Sequence, residues 1–106
     1  MIQTFFSQHW NDVNGNPAGG TSSGIGFNIS WQNGPLGRDN DRLKPNGAFV
    51  ETLLAVVRDR LEYYQASKFN CQYNQDAINY IDKALEALNN RTKDRENRKV
   101  EGTHND

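Results

Sequence analysis

This chain has almost no cysteine and no long apolar run, and neither sign of charge dominates it. A single thiol, Cys71, stands among 106 residues. One cysteine excludes an internal disulfide and suits a reducing compartment. No apolar stretch approaches the ~20 residues of a membrane span. The opening "MIQTFFSQHW" lacks a cationic start followed by an apolar block, so it does not read as a signal peptide. Asn28-Ile29-Ser30 and Asn90-Arg91-Thr92 match the glycosylation pattern, which an intracellular protein does not use. Twelve basic residues face 13 acidic ones, for a net charge of −1. No global field therefore draws the chain to polymeric nucleic acid or to a membrane, and any recognition of an anion must be local.

Apolar residues are also scarce, at 35%, and the mean hydropathy is −0.89. A chain this short buries roughly two-thirds of its unfolded surface, so its own core is modest. Oligomerisation is the expected source of the missing burial. Catalytic signatures are missing as well. His9, Cys71 and His104 are scattered, with no second ligand at metal spacing. A core cysteine explains Cys71 better than a Cys–His pair does. The pairs Asp59/Glu62 and Asp82/Glu86 fall on exposed helix faces, where carboxylates ordinarily just solvate. Gly19, Gly20, Gly24 and Gly26 form neither a P-loop nor a dinucleotide fingerprint and read as turn glycines. No catalytic residue, metal or cofactor is expected.

The pattern that is present divides the chain in two. Ile25, Phe27, Ile29 and Trp31 alternate with small or polar residues, the period of a strand, and "IQTFFSQHW" is a second strand candidate. Between them "NDVNGNPAGGTSSG" is dense in turn formers and reads as a long hairpin loop. Further on, Val50, Leu54, Val57, Leu61 and Tyr64 step by three and four, as do Ile78, Ile81, Leu85 and Leu88. Asn46, after Pro45, is the expected N-cap of the first helix, and Asn74 that of the second. The short connection 65–73 folds the helices back as an antiparallel hairpin. The expected class is α+β in a single domain: β-rich residues 1–45, a helical hairpin over 46–99 and a tail over 100–106. Both stripes keep a seven-residue period on helices too short to stand alone, so two hairpins are expected to pair into a bundle in the oligomer.

The ending "RTKDRENRKVEGTHND" crowds Arg91, Lys93, Arg95, Arg98 and Lys99 together. Cations there complement a helix dipole, and Asp94→Arg98 is an i,i+4 pair, which makes a solvated helix end the simpler explanation. Arg91 differs from the rest. It flanks the apolar stripe and has no acid four residues away, the setting of a bidentate phosphate clamp. Tyr64 suits either core packing or stacking on a base. Asn74 suits either a cap or reading an adenine edge. Arg38 and Arg42 precede the first helix and are further candidates for phosphate.

The segments "WQNGPL", "PNGAFVE", "RDRLEYYQASKF" and "RTKDRENRKVEGTH", in that order, resemble the phage Thoeris anti-defence sponge family, whose helical hairpin is shared with a related anti-CBASS sponge. The likeness covers essentially the whole chain and is strongest over residues 31–104. It implies a non-catalytic phage protein in the cytoplasm of an infected bacterial host. Such proteins bind cyclic ADP-ribose isomers made by TIR-domain enzymes and hold them away from the effector. Some members also bind CBASS cyclic di- or trinucleotides in separate pockets, for which the N-terminal "FFSQHW" is a candidate region. The family assembles as homodimers and often as hexamers. By motif position, Arg91 binds phosphate, Tyr64 stacks on the base, Asn74 reads it and Arg38 is a second phosphate ligand, with Arg42 the alternative in "GRDNDRLK". The competing expectation is a phage interaction protein whose hairpin binds a host protein.

Asn74 and Arg91 are seventeen positions apart (74 to 91), or ~25 Å along a helix, too far for one small nucleotide to touch both. An antiparallel dimer would bring the start of one second helix to the end of its partner's. The expected pocket is therefore shared between two chains.

Overall fold

The computed structural model describes residues 1–98 and Thr103. Expectations for Lys99, for the helix reaching residue 99, for His104 and for the 100–106 tail lie outside the described residues, Thr103 apart. The chain forms two compact units, one over Met1–Phe49 and one over Val50–Asn97. The first is a three-stranded antiparallel sheet and the second a pair of helices, an α+β fold.

The sheet runs β1 (Phe5–Asn11), β2 (Pro17–Gly24), β3 (Phe27–Trp31), in that spatial order. The expected long loop is the main correction here. All of "PAGGTSSG" is not loop but the central strand β2, paired with β1 on one side and β3 on the other. Only residues 12–16 turn. There Asp12 Oδ1 accepts from the amides of Asn14 (2.8 Å) and Asn16 (3.0 Å), a side-chain-closed turn.

Why the central strand is made of Gly and Ser follows from its neighbours. The register sets Gly20 between His9 and Trp31, Ser22 between Ser7 and Ile29, and Gly24 between Phe5 and Phe27. A Cβ added at Gly24 would stand 2.6 Å from the Phe27 ring, and one at Gly19 would stand 3.0 Å from the Trp10 indole. Small residues in the middle let aromatic side chains from both edges lie across the strand. The hydroxyl of Ser22, one of the few buried side chains, accepts from Trp31 Nε1 at 3.0 Å and bonds Ser7 Oγ at 2.7 Å. Ile25 leaves the expected strand face. It occupies a two-residue turn with Gly26, at φ +88°, and is exposed.

Asn46 does not cap a helix. Its Oδ1 accepts from the Asn33 amide (2.8 Å), its Nδ2 donates to the Asn33 carbonyl (3.1 Å), and its own amide donates to Gln32 Oε1 (2.9 Å). These bonds fasten residues 46–48 alongside the end of β3. Ala48 continues the ladder through Ser30 and Gln32.

The helix α1 therefore starts later than expected and spans Val50–Gln65, while α2 spans Gln72–Asn97. Residues 66–71 join them in a turn closed by several hydrogen bonds. Ser67 donates twice to the Tyr64 carbonyl, and the Gln65 carboxamide takes both backbone groups of Cys71. Asn74 lies inside α2, not at its cap. Its Nδ2 donates to the Phe69 carbonyl at 3.2 Å. The α2 stripe faces inward as expected, with Ile78 only 4% exposed and Ile81, Leu85 and Leu88 half-buried. The α1 stripe splits. Leu54 and Leu61 are half-buried, whereas Val50, Val57 and Tyr64 remain exposed. One neighbouring helix covers only one side of a stripe with a seven-residue period. Among the described residues, Ile78 is the one large apolar side chain that is buried, and no helix is long and apolar enough to cross a membrane.

Candidate ligand-binding site

The turn end of the hairpin gathers two of the residues singled out by the sequence. Tyr64 is in the last turn of α1, and the first turn of α2 carries Asn74. Hydrogen bonds tie both to the connection, Tyr64 through Ser67 and Asn74 through Phe69. The Tyr64 ring is partly open, at 37% exposed. The Asn74 amide is half-buried. Only one of its two N–H groups is needed for Phe69, and its carbonyl oxygen is available to a ligand.

Arg91 does not join them. It lies seventeen residues beyond Asn74 on the same helix, exposed, and with no ion-pair partner among the described residues. Arg38 belongs to the first compact unit, just before the short 3₁₀ turn Asp39–Asp41. Its carbonyl accepts from the Asp41 amide at 2.9 Å, and the residue is engaged rather than free. Arg42 follows the same turn and is exposed.

Two arginines on α1 show how differently a guanidinium can be used. Arg58 forks onto Asp82 of α2, with Nε to Oδ1 at 2.6 Å and Nη2 to Oδ2 at 3.2 Å, and reaches Glu62 with Nη1 at 2.5 Å. Hydrogen bonds to Asp82 and then to Glu62 hold its pKa above the ordinary arginine range. The same bond to Arg58 holds the Asp82 carboxyl below the usual carboxylate range. Arg58 is thus a structural cross-link. Arg60, two residues on, has no carboxylate partner among the described residues. Its guanidinium carbon lies 5.0 Å from the ring centroids of both Tyr63 and Tyr64, which are themselves 6.0 Å apart and tilted by 53°. Sequence reasoning passed over Arg60. The signal was the spacing of "RLEYY", which puts a cation three and four residues from two tyrosines on one helix face. Among the described residues no group of three His, Cys, Asp or Glu side chains could hold a metal.

No protein-family model matches the chain. It is, however, 45% identical over 76 residues to a curated protein, Thoeris anti-defense 1 of Bacillus phage SBSphiJ7, with 72% of this chain aligned. The chain belongs to the Thoeris anti-defence family. The aligned part makes up 51% of that relative, so the chain spans about half the length of the Thoeris protein it matches.

Proposed function

We propose that this protein is a phage anti-defence sponge. It binds cyclic ADP-ribose-type signals in the cytoplasm of an infected bacterium and releases them chemically unchanged. The observation that carries this reading is the placement of Tyr64 and Asn74 at one end of the hairpin. A ring partly open to solvent and a carboxamide with spare hydrogen-bonding capacity are the parts needed to stack on a purine and read its edge. Membership of the Thoeris anti-defence family supports the same reading.

Arg91 enters as the phosphate clamp from a second chain, with Arg38 as a further phosphate ligand. Pairing of two hairpins would also cover the exposed Val50 and Val57 of α1. CBASS cyclic oligonucleotides are a second class of ligand under this reading. In this reading the protein holds its ligand without catalysing a reaction on it.

The test is to incubate the protein with the products of a TIR-domain enzyme, wash, denature and analyse what is released. An intact cyclic ADP-ribose isomer supports the sponge. Linear ADP-ribose would indicate hydrolysis and overturn the non-enzymatic part. The exposed apolar side of α1 favours one alternative, a hairpin that docks on a host protein. Retention of no nucleotide would leave that alternative standing.

A further inference from the structure

Arg60 is an exposed cation without a carboxylate partner among the described residues, and its neighbours hold it in place. The rings of Tyr63 and Tyr64 flank its guanidinium at 5.0 Å each. A cation over a ring face is held by the ring's quadrupole rather than by a hydrogen-bond acceptor, so this contact does not spend the guanidinium's five N–H donors on an acceptor. The contrast with Arg58 is chemical. There three donors are spent on Asp82 and Glu62, whereas Arg60 spends none on an acid. Fixing a long side chain in advance lowers the entropy cost of using it on a ligand.

The neighbour matters as much as the geometry. Arg60 covers part of Tyr64, the aromatic residue proposed to stack on the base. A nucleotide carries its phosphates a few bonds from that base. Arg91, one of the three arginines already considered for phosphate, does not lie at this end of the hairpin. It is remote along α2, and Arg38 belongs to the other compact unit.

We infer that Arg60 is a phosphate-binding residue of the site: held on Tyr63 and Tyr64, it contacts the pyrophosphate of the nucleotide whose base Tyr64 stacks on, from the same chain. This rests on the base-stacking role proposed for Tyr64. Arg60 supplies the near phosphate contact in cis, and the clamp from the second chain closes the far side.

The experiment is calorimetric titration of a cyclic ADP-ribose isomer into the full chain at low and high salt. The variants are Arg60→Gln, Arg60→Lys and Arg58→Gln, each checked by circular dichroism. Arg60→Gln is expected to weaken binding at least tenfold and to flatten its salt dependence. Arg60→Lys keeps the charge but not the planar fork and should recover part of the loss. Arg58→Gln removes a cation two residues away that is already paired with Asp82 and Glu62, and at high salt it should stay within about twofold of wild type. Should wild type bind while Arg60→Gln matches it, the inference fails and the sponge reading survives. An equal loss in Arg58→Gln would assign the effect to the general field and likewise overturn the role of Arg60. Absence of binding by wild type overturns both.

Discussion

Trp31 and Ser22 meet across adjacent strands, with the indole N–H donating to the serine hydroxyl at 3.0 Å. The same hydroxyl bonds Ser7 on the other neighbour at 2.7 Å, so one small buried group links all three strands. Replacing Ser22 with Ala removes both bonds and leaves the Trp31 N–H without its partner. The expected cost is about 1–3 kcal/mol. Thermal denaturation of Ser22→Ala checks it, with a lowered midpoint and an unchanged strand signal expected.

Asp82 gives the hairpin a defined acid sensitivity. Its carboxyl is held below the unfolded value of about 3.9 by the bond to Arg58. A depressed carboxylate contributes stability above its unfolded pKa and loses it as pH falls through the folded value. Wild type should therefore exceed Asp82→Asn in melting temperature at pH 6, and the gap should close below about pH 4. The difference will be small, since both partners are partly exposed, at 30% for Arg58 and 48% for Asp82. A gap that persisted unchanged at pH 2 would contradict the assignment.

Leu85 tests assembly. It is half-buried on the inward stripe of α2, two turns along from Ile78, the only buried apolar residue of the hairpin among those described. Replacing it with Asp places a charge in that seam and should dissociate or unfold the protein. Light scattering reads the result. A well-folded wild-type monomer at micromolar concentration would remove the basis for paired hairpins.

Mixing two defective chains tests the shared pocket. Asn74→Ala and Arg91→Ala homodimers each have two broken sites. In a heterodimer both lesions fall in one site and the other is restored. Recovery of cyclic ADP-ribose binding on mixing is expected. Without recovery, in a sample where heterodimers are confirmed, the assignment of Asn74 and Arg91 to one composite site is wrong.

The helices were legible because burial against one face imposes a period that Ile78, Ile81, Leu85 and Leu88 display openly. The strand β2 was not, because its selection is for smallness. Gly19 and Gly24 make room for Trp10 and Phe27, and a stretch of Gly and Ser looks like a loop unless those aromatics are placed first. Both asparagine caps were misread for a related reason. Asn46 and Asn74 have cap chemistry, but each spends it on a carbonyl outside the helix, Asn33 in one case and Phe69 in the other. At the site, the nearness of Tyr64 and Asn74 followed from the short connection alone. The clamping of Arg60 by two rings depends on rotamers, which spacing only suggests.

The unequal lengths of the helices, 16 residues in α1 and 26 in α2, carry a dynamic consequence. Counting equal steps from the Arg58–Asp82 pair sets Val50, the first residue of α1, opposite about residue 90 of α2. Within the hairpin, the turns of α2 beyond that point have no helix beside them. Helical turns that pack against no second helix lean on their intrahelical bonds and open at lower cost in free energy. Deuterium uptake should therefore rise steeply along α2, slowest around Ile78 and fastest past Asn90. Arg91 stands at the start of the fast region. A ligand or second chain that closes on it would slow exchange there first, so the protection pattern would report engagement of Arg91 before any change elsewhere on the hairpin.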